Sequence, residues 1–267
     1  MRATRVIAVA TVAVFAALVA SAVTLAATAP STAGVVPSHL VVGAGPPATA
    51  TGVATFSSST GVSVDATCAF DFTTGAADVT ATASLSIVTA MVEVRLADRA
   101  LYLNVQQFAS LIGAPWVTTG SLHGPARLDV LASALRHPDL ARLHAKSRAV
   151  TSRHGEKTTT LSFGRVHLPS TSGLPISLPR VAALTLAVTT GAQGQVLEIA
   201  VHLANPGDDV RLTFQVTGYN VEVSIAPPPP REVAPLDGVR ARAIFGIDAQ
   251  GIQQRLGELR RVVARLG

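Results

Sequence analysis

The sequence predicts an α+β fold, an antiparallel sheet packed against a small number of helices. Three features predict it. Apolar and polar residues alternate with a period of two over many short segments. Turn-forming residues separate those segments at hairpin distances. Between Gln106 and Ala145 the rhythm becomes helical.

Residues 1–29 are read apart from the fold. Arg2 and Arg5 precede 24 uncharged residues, Val6–Ala29. This is a secretory signal peptide or an N-terminal membrane anchor. A signal peptide has small-residue cleavage sites available at Ala20-Ser21-Ala22 or Ala27-Thr28-Ala29, although Pro30 disfavours cutting after Ala29. An anchor needs only ~20 apolar residues. Either way the arginines stay cytoplasmic, so the body is expected to be extracytoplasmic, secreted or held at the cell membrane. No cysteine ends the apolar run, so no lipid can be attached there. Residues 30–52 are rich in Pro, Gly and Thr, a linker composition.

Residues 53–236 carry the β-rich domain. In "VSVDATCAFDF" Val62, Val64, Ala66, Cys68, Phe70 and Phe72 share one face. "ADVTATASLSI" repeats the pattern with Val79, Ala81, Ala83, Leu85 and Ile87. "MVEVRL" and "ALYLNV" follow, with a turn at Ala97-Asp98-Arg99. These are half-buried antiparallel strands. Gln106–Ile112 then reads as a short helical turn stopped by Gly113-Ala114-Pro115. Ala126–Ala145 reads as helix broken near Pro138. Strands resume at Thr158–Leu168, and three prolines in "PSTSGLPISLP" oppose a central strand there. Ala182–Leu203 is a hairpin, and Asp209–Ile225 supplies the last alternating run before "PPPP". Residues 237–267 form a basic amphipathic helix. Phe245, Ala249, Ile252, Leu256, Leu259, Val263 and Leu266 make its seam. From Val239 onward six Arg oppose Asp248 and Glu258, a net +4.

The chain has 267 residues, 48% hydrophobic and 14% charged, with formal net charge +5. The basic residues are nearly all Arg, since only Lys146 and Lys157 are Lys. No RNA-binding aromatic motif or zinc-finger spacing accompanies the charge, so nucleic acid is not an expected partner. A single cysteine, Cys68, rules out an intrachain disulfide.

Motifs for catalysis are missing. "VVGAGPP" runs into prolines, so it places no pyrophosphate at a helix N-terminus. The seven histidines show neither H-x-H nor H-E-x-x-H spacing. No G-x-S-x-G elbow exists. Cys68 keeps phase with Phe70 and Phe72, as a buried small hydrophobe does. The reading is a protein that is not an enzyme and has no catalytic residue, cofactor or metal.

A sheet with one apolar face needs a cover, and the helical material available is not large. Either the helices fill the sheet, or a cavity lined by aliphatic side chains is left. Such a cavity suits an acyl chain, since burial is worth ~0.8 kcal/mol per CH2.

Several stretches resemble the LppX/LprG-type lipoproteins of mycobacteria and their relatives. They are "DRALYLN", "GAPWV", "LDVLASALRHPDLARLH", "TTTLSFGRVHL" and "VTGYNVEVSIAPPPPREVAPL", spread over Val53–Leu236. The resemblance implies a LolA-like half-barrel, a curved antiparallel sheet wrapped on helices, with an apolar cavity for a lipid or lipid-linked glycan. It implies envelope work without catalysis. The family's lipobox cysteine is absent here, and "PPATATG" stands where its first helix belongs.

The expected function is therefore an extracytoplasmic lipid-binding or lipid-carrier protein. Its cavity candidates are Val94, Leu96, Leu101, Leu103, Leu161, Phe163, Leu186, Val188, Ile199, Val201, Leu212, Phe214 and Val216, with Trp116 at the mouth. Tyr102 alternates out of phase with Leu101 and Leu103 and is expected on the other face. The alternative is a non-catalytic envelope module whose C-terminal helix binds a protein partner or an anionic membrane surface.

Overall fold

The structure, a computed structural model, describes residues 45–85, 88–104, 109–121, 128–167 and 181–240. Twelve strands make one sheet. They are β1 (Thr49–Ser58), β2 (Val62–Asp71), β3 (Ala76–Leu85), β4 (Val88–Ala97), β5 (Ala100–Asn104) and β6 (Trp116–Ser121), then β7 (Ser147–Arg153), β8 (Glu156–His167), β9 (Val181–Thr190), β10 (Val196–Asn205), β11 (Asp208–Tyr219) and β12 (Val233–Pro235). Their order across the sheet is β12-β6-β5-β4-β3-β2-β1-β11-β10-β9-β8-β7. Neighbours run antiparallel except β12, which lies parallel to β6.

This corrects the α+β expectation. The protein is mostly β, and among the described residues α-helix is limited to α1 (Ala109–Ile112), α2 (Leu128–Arg136) and a turn at 238–240. Four strands lie where alternation is weak: β1 in part of the expected linker, and β6, β7 and β12. The expected helix 126–145 ends early. Pro138 lacks the N–H needed to extend α2, and Asp139 caps a separate 3-10 turn at Leu140–Arg142. The chain then enters β7, and a two-residue turn closes the β7–β8 hairpin. His154 and Gly155 both have positive φ, 51° and 83°, as a right-twisting hairpin turn requires.

One face of the sheet is the core. A row of facing residues crosses eight strands: Val92, Ala81, Ala66, Ala54, Phe214, Ile199, Val188 and Thr159. All of them are buried. In this row small side chains stand on β1–β3 and larger ones on β9–β11. At Gly52 the reason is direct, because a Cβ would stand 2.6 Å from the Phe214 ring.

Helical material covers part of the inner face. Leu131, Ala134 and Leu135 of α2 are buried in the core cluster, as are Leu140 and Leu143. The Tyr219 hydroxyl donates to Val196 O at 2.6 Å and lies 3.3 Å from Leu135 O, joining α2 to the sheet. Arg136 donates to Gln193 O at 2.9 Å. The Arg148 guanidinium donates to the Leu140 carbonyl. These ties all fall on the β7–β11 half.

The alternating run Asp209–Ile225 is strand only as far as Tyr219, the end of β11. Residues 221–229 form an extended strap. Val221, Val223 and Ile225 are half-buried, and Glu222, Ser224 and Ala226 are exposed. The strap ends in β12 beside β6, so it carries the chain from mid-sheet to one edge. The apolar stretch 6–29 and the helix seam Phe245–Leu266 lie outside the described residues. No described helix is long and apolar enough to cross a membrane.

Candidate functional site

The inner face gathers most of the expected cavity positions. Leu103, Leu161, Phe163, Leu186, Val188, Ile199, Leu212, Phe214 and Val216 belong to one buried cluster, with Val94 and Val201 packed partly buried against it. Leu96 is also buried, and Leu101, opposite it on β5, is half-buried. Phe214 is 1% exposed and meets Phe70 edge-on at 6.4 Å.

α2 and the Leu140–Arg142 turn pack into the core, yet some inner positions stay only partly buried, Val201 of β10 among them. On β3–β5 the partly buried residues are Ala77, Val79, Val94 and Leu101. Val79 faces Val94, which faces Leu103, and Leu96 faces both Ala77 and Leu101. These four form a shallow apolar patch continuous with the core. Val79 belonged to the alternating set in the sequence. It is partly buried, packed against the core.

Trp116 is on the other side of the sheet. Register pairs Leu103 with Val117 and Asn104 with Trp116, so Trp116 projects to the outer face. Tyr102 pairs with Arg95 and Thr118 and shares that face. The two aromatics are therefore on one side, and neither joins the inner cluster. Trp116 is buried because Arg95 lies over its ring, 5.1 Å from the centroid.

Arg95 is the hub of this outer-face group. Its Nε donates to Asp78 at 3.2 Å, Nη2 to Glu93 at 2.5 Å, and Nη1 to Ala226 O of the strap at 2.9 Å. Asn104 donates to the second Glu93 oxygen at 3.2 Å. Burial pushes the Asp78 carboxyl above the usual carboxylate range. The Arg95 charge pulls the other way, and Glu93 adds to the rise. Sequence reading missed this group because its members are ordinary outward positions on separate strands. Only the register assembles them.

Reactive chemistry is sparse. Burial, with a smaller push from Asp78, raises the Cys68 thiol to about 12, which leaves it protonated and unreactive. Among the described residues no three of His, Cys, Asp and Glu are grouped to hold a metal. His202 and Asp209 pair on the surface, and Ser59 Oγ accepts from the Asp209 backbone N–H at 3.0 Å.

Among known proteins, no family model matches the chain, and no curated protein matches it. Fold and site define its class: a mostly β protein with one apolar sheet face. The likeness to LppX/LprG-type lipoproteins rests on the quoted residues alone.

Proposed function

We propose that this is an exported, non-catalytic protein that binds an acyl chain along the inner face of its sheet. The observation that carries this reading is a group of partly buried apolar residues, Ala77, Val79, Val94 and Leu101, beside the buried core on the inner face. An aliphatic chain laid on that patch removes apolar surface on both partners from water, at roughly 25 cal/mol per Å2. Arg2, Arg5 and the apolar run to Ala29 support an extracytoplasmic site of action.

Native mass spectrometry and displacement of a fluorescent fatty acid test this. Co-purified lipid, with displacement weakened roughly tenfold by Val79→Glu or Val94→Glu, is the expected result. A purified chain with neither lipid nor displaceable probe overturns it.

One observation favours a second reading, docking through the C-terminal segment. Asp237 accepts from the Arg240 N–H at 2.8 Å and so caps a helical turn at 238–240. Val239 on that turn is 80% exposed. Under this reading, deleting residues 239–267 abolishes binding to anionic vesicles or to a protein partner. Unchanged binding excludes it.

A further inference from the structure

We infer that β7 is a self-pairing edge, through which two copies of the chain join their sheets about a twofold axis at Val150. β7 ends the strand order, and no described strand lies beyond it. All seven of its residues are exposed. An edge of this length invites another strand unless proline, a bulge or central charge blocks it. Ser147–Arg153 contains no proline, pairs with β8 without a register shift, and keeps its two arginines away from the centre.

The partner is a second copy because the strand is complementary to itself. Antiparallel pairing centred on Val150 sets Arg148 opposite Ser152 of the second copy, and Arg153 opposite its Ser147. Ala149 then faces Thr151 of the second copy. No arginine faces an arginine. A slip of one residue turns the inner face of one sheet toward the outer face of the other, and in one direction it also sets Arg148 against Arg153. Face and charge both disfavour that slip.

The core points the same way. Val150 pairs with Thr159, so it continues the buried inner row that runs from Val92. It is 50% exposed, an apolar residue that ends the buried row at an open edge. Across the proposed axis it meets Val150 of the second copy, and the row runs on into the second sheet.

The test is sedimentation velocity on the full purified chain in mild detergent, over a concentration series. A reversible dimer is expected. Val150→Lys weakens it by roughly tenfold, because two like charges then face each other. Val150→Glu does the same. Mixing these two variants restores a heterodimer, a result that only the Val150-centred register gives. Val150→Cys forms a disulfide-linked dimer on mild oxidation, which reports the contact independently of affinity. A chain that stays monomeric overturns the inference. So does a dimer that Val150→Lys leaves unchanged, since another surface then holds it, and so does failure of the cysteine variant to cross-link.

Discussion

Arg95 lies over the indole of Trp116 on the outer face of the sheet, 5.1 Å from the ring centroid, and the same guanidinium donates to the Ala226 carbonyl of the strap. One side chain therefore ties β4, β6 and the crossing segment together. Arg95→Lys keeps the charge but loses the planar fork that serves Asp78, Glu93 and Ala226 at once. Faster proteolysis within 221–229 is expected for both Arg95→Lys and Arg95→Ala. A cleavage rate equal to that of wild type in both variants shows that the strap is held by other contacts.

Asp78 gives this group a pH signature. Its carboxyl is raised in the fold, chiefly by burial. The folded state then holds the proton more tightly than the unfolded state does. Ionised Asp78 costs nothing below the ordinary carboxylate pKa, and its cost grows as pH rises through the raised value. Asp78→Asn lacks this dependence. Stability of Asp78→Asn relative to wild type should therefore increase with pH across that window, read from urea midpoints. A constant difference refutes the assignment.

Gly52 is the tightest point of the inner face. A Cβ there falls 2.6 Å from the Phe214 ring and 2.8 Å from the Gln215 backbone oxygen. The ring has little room to yield, because Phe214 is almost fully buried. Gly52→Ala is expected to cost about 1–3 kcal/mol, as overpacked cores do. Denaturant unfolding measures it, and an unchanged midpoint contradicts the packing described.

The sequence was most legible where large apolar residues alternate. Val62–Phe70, Leu184–Val188 and Leu212–Val216 announce strands because their inward residues are apolar and mostly large or branched. The start of β1 hides because its first inward residues, Ala50, Gly52 and Ala54, are small enough to pass for linker. β7 hides because it buries nothing and so has no apolar face to show. Those omissions, with a helix read past Pro138, produced the α+β expectation. The inward set of the candidate site was legible by phase. The side on which Trp116 falls was not, because it depends on how β6 registers with β5. The Arg95 group depends on register across four strands, information that no short window contains.

Tyr219 carries the last prediction. Its hydroxyl is buried and donates to Val196 O at 2.6 Å, beside Leu135 O at 3.3 Å. Burial holds its pKa well above the ordinary tyrosine value, so it stays a neutral donor wherever the fold persists. Tyr219→Phe keeps the ring and removes the donor. Val196 O then loses this bond, and α2 loses a polar tie to the sheet. The expected cost is about 1–3 kcal/mol, the range for leaving a buried group unsatisfied. The loss should be unevenly distributed. Hydrogen exchange should accelerate in α2 and near the start of β10, while amides of β2 and β3 stay as protected as global stability allows. Uniform acceleration would show that α2 is fastened by apolar packing alone, and that Tyr219 contributes to the core as a ring rather than as a donor.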